Sequence, residues 1–237
     1  MRKNKEAILL VILMVLLFSV NYSFLNEKLE GFLTNQDSVF IERIIDGDTV
    51  EIENKTSIRL LGINSPERGE VYYLEAKEFL EDLILNETVT LEYVGERQDK
   101  YGRTLAYIYI NKENVNLKLV EEGLANYYFY SGKDIHSDDL MNAWDSCIEN
   151  NKNLCEKSID VCKSCISISQ NKIVNECDFD CDITDWQIKG EGRKKFIFPD
   201  GILEQGEEAS FELELTNTGD TLFLRDGEGK LVLWEGY

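Results

Sequence analysis

Positive charge is scarce in this chain: 237 residues carry 25 Lys and Arg against 45 Asp and Glu, a formal net charge of -20. Tight non-specific binding to nucleic acid is driven by Lys and Arg, so this balance argues against it and suits a solvated, soluble surface. Histidine is nearly absent; the single one, His136, falls in a polar loop and is expected to face solvent rather than to act in catalysis. No internal repeat and no low-complexity tract occurs, which excludes a solenoid or a repeat array. Cysteine is missing from the first 146 residues and then appears six times, at Cys147, Cys155, Cys162, Cys165, Cys177 and Cys181.

What is present begins with an apolar terminus. Arg2, Lys3 and Lys5 precede an uncharged run over 7–20, the layout of a secretory signal, but no small-x-small cleavage site follows. A helix over 7–25 approaches the ~20 residues that span a bilayer. Residues 1–25 therefore predict a signal-anchor or signal peptide, with the early positive charge placing the rest of the chain outside the cytoplasm. Residues 26–38 read as a linker. In an exported chain, six clustered cysteines point first to disulfides. Cys177 with Cys181, Cys147 with Cys155 and Cys162 with Cys165 are the expected pairs. The rival is a four-thiolate zinc site built from Cys162, Cys165, Cys177 and Cys181.

From Val39 the hydrophobic period is that of strands. Runs over 39–45, 49–53 and 57–63 are joined by the Asp46-Gly47 and Asn54-Lys55 turn signals, as in a β-meander. Over 71–85 the period becomes helical, with Leu74, Ala76, Phe79, Leu80, Leu83 and Ile84 on one face. Strands over 88–94 and 103–110 follow, then helical stretches over 115–124 and 138–149. This order predicts a mainly β fold, a five-stranded Greek-key barrel with three helices over 39–158. Beyond a junction at 158–164, short strand signals recur over 166–168, 186–189, 195–199, 209–215, 221–224 and 231–234. They predict a small β-sandwich over 159–237.

The residues able to carry chemistry cluster in the barrel. Asp48 follows a glycine turn and Asn64 ends a strand, so barrel closure can juxtapose them as a hard-oxygen site for Ca²⁺ or Mg²⁺. Arg59 and Arg103 lie on otherwise apolar strands, where a guanidinium must find an anion, and a phosphate suits its planar fork. Glu67 follows Pro66 on a rigid turn and suits the orientation or deprotonation of a water. Taken singly, Asp46-Gly47-Asp48 is an ordinary hairpin turn, Arg59 a structural ion pair and Glu67 a surface carboxylate. Their occurrence together points to metal-assisted attack on a phosphodiester. In the run Tyr127-Tyr128-Phe129-Tyr130, alternate members are expected in the core, leaving the others for base stacking.

Three stretches, 45–50, 59–67 and 99–107, together resemble the staphylococcal-nuclease-like (thermonuclease) family in order and spacing. The resemblance covers about 39–158 and implies an OB-fold barrel with three helices and calcium-dependent hydrolysis of DNA and RNA. It further implies Asp48 as a Ca²⁺ ligand, with Asn64 standing where the family has a second aspartate, and Ser65 ligating through its carbonyl. Arg59 and Arg103 match the phosphate-binding arginines, Glu67 the general base, and Lys100 and Tyr101 residues near the terminal phosphate. Asp46 would act near the metal through water. Two departures stand out. Asn64 removes a charge, and the segment 39–158 holds 13 Lys and Arg against 24 Asp and Glu. Substrate capture should therefore be salt-sensitive and favour single strands. The segment from Ile166 onward resembles a lamin-tail domain, an immunoglobulin-like sandwich, with no catalytic constellation and an unknown ligand. The alternative to an enzyme is a non-catalytic surface module that binds nucleic acid or another polymer.

Overall fold

The computed structural model describes residues 36–169, 171–199, 201–213 and 220–236. The expected signal-anchor and residues 26–35 of the expected linker lie outside the described residues, as does the end of the strand expected over 209–215. No helix of the described residues is long and apolar enough to cross a membrane.

The first strand, β1 (Gln36–Asp46), starts three residues before the strand expected at Val39. It pairs antiparallel with β2 (Thr49–Ile52), which pairs with β3 (Thr56–Leu60). After β4 (Ile63–Asn64) and helix α1 (Tyr73–Ile84), β5 (Thr88–Glu92) returns to β1, and β6 (Thr104–Ile110) pairs with both β5 and β3. The parallel β3–β6 contact closes β1, β2, β3, β5 and β6 into a five-stranded barrel of the OB type. The strand period is plain in β5, where Val89 and Leu91 are buried and their neighbours are not. In α1 the buried side chains are Ala76, Leu80 and Ile84, one every four residues, and they seal the barrel beside β1.

The edge hairpin β7 (Glu113–Asn114) leads directly into α2 (Val115–Glu121), whose first turn is capped by Asn114 accepting from Asn116 N and Leu117 N at 2.9 and 3.2 Å. β8 (Asn126–Tyr127) pairs with β4, and α3 (Ser137–Asn150) packs on α2. The α-helices thus number three among the described residues, close to where the sequence periodicity places them.

The C-terminal region is built of short strands: β9 (Ile166–Ser169), β10 (Lys172–Asn175), β11 (Cys181–Asp182), β12 (Gln187–Lys189), β13 (Lys195–Ile197), β14 (Ile202–Leu203), β15 (Glu208–Ser210), β16 (Thr221–Arg225) and β17 (Leu231–Gly236). They form a four-stranded sheet, β13-β12-β16-β17, a three-stranded sheet, β15-β10-β9, and the β11–β14 pair. A second core of Ile173, Trp186, Ile188, Phe211, Leu222 and Leu224 lies within this region.

β16 is buried at every position because both its faces are covered. Leu222 and Leu224 point into the second core. Thr221, Phe223 and Arg225, on the other face, meet the barrel domain. Phe223 packs edge-on to Trp144 and Tyr127 at 5.1 and 5.9 Å, and Tyr127 Oη donates to Thr221 Oγ1 at 3.0 Å. Arg225 donates to Leu154 O, and burial lowers its pKa to about 10. Ser158 Oγ donates to Asp226 Oδ2 at 2.6 Å, and Leu231 N to Glu156 O at 2.7 Å.

The cysteines form three disulfides, and none is free among the described residues. Cys147–Cys155 joins the end of α3 to the following turn, as expected. The pairs expected as Cys177–Cys181 and Cys162–Cys165 are instead Cys165–Cys177 and Cys162–Cys181. The β9–β10 register explains the difference. Ile166 lies opposite Asn175 and Glu176 N donates to Cys165 O, so Cys165 and Cys177 meet across the hairpin with Cα atoms 4.9 Å apart. With these sulfurs oxidised, the thiolates of a zinc site are not there. His136, expected in solvent, is instead largely covered: its Nε2 lies 2.9 Å from Glu92 Oε2 and its ring 4.4 Å from Tyr107. An acceptor on β5 draws the polar loop inward.

Because Phe223 belongs to the barrel core while its neighbours belong to the other, Phe223→Ala should destabilise the protein by about 3–5 kcal/mol. Urea denaturation followed by tryptophan fluorescence should show Trp144 and Trp186 losing their environment in one transition shifted to lower urea. Two separated transitions, with only one moved, would show that the regions are energetically independent.

Candidate active site

The site is assembled where the β1–β2 turn, the end of β3 and the β4 strand converge. The turn can approach so closely because residue 47 is glycine: a Cβ there would lie 2.7 Å from Ala76 Cβ and 2.9 Å from Ser65 Cβ. Register does the rest. Thr49 lies opposite Arg59, and Leu60 N donates to Asp48 O at 2.8 Å, which brings Asp48 and Arg59 together. Gly62, at φ +76°, lets the chain pass under Tyr107 and Leu140 and enter β4, where Asn64 is held opposite Asn126.

Asp48, Arg59, Asn64 and Ser65 are all buried and all in contact. Arg59 NH2 lies 3.1 Å from Asp48 Oδ2 and donates to Asn64 Oδ1 at 3.2 Å, while its NH1 donates to Leu60 O at 2.6 Å. Asp48 Oδ2 also accepts from Ser65 N and Oγ at 2.8 and 3.0 Å, and Oδ1 from Thr49 Oγ1 at 3.1 Å. Burial pushes the Asp48 carboxyl up, but Arg59 and the Ser65 donors outweigh it and hold the group below the usual carboxylate range. Asp46, whose Oδ1 accepts from Asp48 N at 3.1 Å, is moved the other way by burial and by the Asp48 charge. The result is a pair of close carboxylates with opposite tendencies, with the Asn64 amide oxygen on the same guanidinium, a set of hard donors suited to an alkaline-earth cation.

Glu67 lies at the mouth, its side chain 39% exposed. It is not in contact with Asp48 or Arg59; its Oε1 is 2.6 Å from Arg193 Nε. Arg103 is engaged with another carboxylate, its Nε and NH2 both 2.7 Å from Asp99 Oδ2 at the β5–β6 connection. Lys100 Nζ and the Arg103 guanidinium carbon lie 5.2 and 5.6 Å from the centre of the Tyr101 ring, which is exposed. Lys100 and Tyr101 are exposed and gather with the half-buried Arg103 around the Tyr101 ring. The aromatic run alternates as expected: Tyr127 and Phe129 are buried, Tyr130 is exposed and Tyr128 half-buried beside it.

Residues beyond the barrel complete the site. Asn64 Nδ2 donates to the backbone carbonyls of Glu191 and Gly192, both at 3.2 Å, which turns Oδ1 towards Arg59. Glu191 accepts from Phe129 N at 2.8 Å and from Thr221 Oγ1 at 2.9 Å, and burial raises its pKa. Glu70 accepts from Glu67 N at 2.9 Å and pairs with Lys189 and Lys195, each at 3.0 Å. None of Glu70, Glu191 or Arg193 is evident as a site residue from the barrel motifs. The only hint is the cation-rich stretch Lys189-Gly190-Glu191-Gly192-Arg193-Lys194-Lys195.

Residues 57–157 match the family model described as staphylococcal nuclease homologue. The thermonuclease of Staphylococcus hyicus is 33% identical over 144 residues, 55% of this chain and 84% of that protein. The chain belongs to the staphylococcal nuclease family. The thermonuclease of Staphylococcus intermedius is 39% identical over 107 residues, covering 41% of this chain and 64% of that protein. An uncharacterized endonuclease of Haemophilus influenzae is 35% identical over 108 residues, 44% of this chain and 60% of that protein. The barrel is thus a hydrolase domain of a nuclease family. The matched family segment ends at residue 157, before the first C-terminal strand at Ile166, so the contacts from Glu191 and Arg193 come from outside it.

Asp48→Asn would leave the Arg59 guanidinium, 8% exposed, without its anion, at a cost of about 3–5 kcal/mol near neutral pH. Asp48 has a folded-state pKa below its unfolded value, so its contribution is present above the unfolded value of about 3.9 and is lost as pH falls through the lower folded value. Urea denaturation should therefore show wild type and Asp48→Asn far apart at pH 7 and converging below about pH 4. A constant gap down to the acid limit would mean that Asp48 stabilises by some other route.

Proposed function

We propose that this chain is an exported, membrane-anchored, calcium-dependent nuclease that hydrolyses phosphodiester bonds in DNA and/or RNA, with single strands the preferred substrate. The observation that carries the proposal is the buried Asp48–Arg59–Asn64–Ser65 cluster with Glu67 two residues further on at its mouth. Residues of these types are those of a phosphodiester-cleaving site.

Asp48 and Asn64 through their side chains, Ser65 through its carbonyl and Asp46 through water are the groups that would hold Ca²⁺. The fit rests on their chemistry: all are hard oxygens, and Asp46, whose Oδ1 accepts from Asp48 N at 3.1 Å, is pushed above the usual carboxylate range first by burial and then by the Asp48 charge beside it. Asn64 has one charge fewer than an aspartate, which lowers affinity, while the carbonyls of Glu191 and Gly192 keep its Nδ2 occupied and its oxygen on the site side. A bound Ca²⁺ would polarise a phosphoryl oxygen. Glu67 accepts the proton of the attacking water, and Arg59 stabilises the charge that grows on the phosphoryl oxygens. Arg103 joins it by exchanging the Asp99 carboxylate for phosphate, one anion for another at the same guanidinium fork.

The oxidised state of the six cysteines supports an extracytoplasmic location. The uncharged run over 7–20 supports an anchor. The region beyond 158 is read as a lamin-tail-like sandwich, a reading supported by its turn-rich strands and its own core.

The full chain in detergent should cleave single-stranded DNA and RNA with Ca²⁺ and fail with chelator. Glu67→Gln should lower the rate by roughly 10²–10⁴, the range for a general base, and Arg103→Ala should also abolish most activity. A folded chain that binds single strands but cleaves nothing at any Ca²⁺ concentration would be the non-catalytic polymer-binding module instead.

A further inference from the structure

We propose that the loop between β12 and β13, residues 190–194, is a phosphate subsite for a single-stranded polynucleotide, with Arg193 as the group that grips the backbone beside Glu67. The inference rests on the nuclease reading for its substrate class, and on the geometry of the loop for its place.

The loop is docked at its base and open at its tip. Lys189 and Lys195, the two strand residues that flank it, both hold Glu70 at 3.0 Å. Glu191 is locked by Phe129 N and Thr221, and the carbonyls of Glu191 and Gly192 take the Asn64 amide. These contacts place Arg193 beside the mouth of the buried cluster. Its side chain remains 52% exposed, and the Nε–Oε1 contact with Glu67, at 2.6 Å, leaves the guanidinium within reach of solvent. A pair this exposed is weak, so a phosphodiester arriving at the mouth can replace Glu67 as the partner of the fork. The same exchange frees the Glu67 carboxylate to accept a proton. The half-buried Tyr128 borders the loop, since a Cβ on Gly192 would lie 3.8 Å from its hydroxyl, and exposed Tyr130 stands next to it. A cation beside aromatic rings is the arrangement that receives phosphate and base of one strand together.

Charge explains why the subsite is recruited from outside the barrel. Residues 39–158 hold 13 Lys and Arg against 24 Asp and Glu, a field that repels a polyanion, whereas 189–195 holds four cations and one acid. Residues 193–195 are the only three consecutive cationic residues in the chain.

The test separates binding from cleavage. The full chain in detergent, with chelator present, is titrated into a fluorescein-labelled oligothymidylate and followed by anisotropy over a series of salt concentrations. Arg193→Ala should weaken binding about tenfold at low salt and reduce the slope of log K against log salt by about 0.7, the loss of one single-strand phosphate contact. Arg193→Lys should restore the slope. Unchanged melting of both variants excludes misfolding as the cause. Equal affinity and slope in Arg193→Ala and wild type would overturn the proposal. So would a rise in turnover with unchanged binding, which would make the Arg193–Glu67 pair a brake. Arg193-dependent binding by a chain that never cleaves would uphold the subsite and remove only the nuclease reading.

Discussion

The buried ion pair between Asp48 and Arg59 is the constraint on which the site depends. Neither charge could stand alone in the barrel wall, because taking one ion from water costs several kcal/mol that only a partner and further hydrogen bonds offset. Each therefore dictates what surrounds it. Asp48 gathers the Ser65 donors and Thr49, which bends the chain after β4 and sets Glu67 at the mouth. Arg59 reaches Asn64 and so ties β3 to the β4–β8 pair. One electrostatic requirement thus positions the buried oxygens of Asp48, Asn64 and Ser65 and the carboxylate of Glu67 that follows them.

A second constraint comes from sharing. β16 divides its side chains between two cores, so the C-terminal sheet cannot separate from the barrel without exposing Phe223 and the buried Arg225. That rigid coupling is what allows the β12–β13 loop to complete the active-site rim. Asn64 is oriented by backbone carbonyls from that loop, and the 67–70 turn is held by its lysines and Arg193. An acidic barrel is thereby given a cationic border.

The barrel and the buried half of the site were legible in the sequence because their signals are local. Two-residue alternation marks β5, four-residue spacing marks α1, and Asp-Gly at 46–47 marks the hairpin that carries Asp48. The motifs around Asp48, Arg59 and Asn64 lie on strands whose pairing follows from barrel closure, so their convergence could be anticipated from order and spacing. The alternation of Tyr127 and Phe129 inward with Tyr130 outward was open to the same reasoning.

What needed the tertiary structure was everything decided by partners far apart in sequence. Cys165 meets Cys177 because of the β9–β10 register, and no local spacing distinguishes that pairing from Cys162 with Cys165. His136 is drawn under cover by Glu92, 44 positions away. Glu67 rests on Arg193 because exposed ionic partners are chosen by proximity rather than by pattern, whereas Arg103 takes a local partner, Asp99, four residues earlier. The sequence by itself determined the barrel, its helices and the identity of the buried charged cluster, since burial and periodicity act residue by residue along the chain. Only the tertiary structure decided that a cationic loop 126 residues beyond Glu67 closes the site, because electrostatic and packing forces act through space without regard to the chain between.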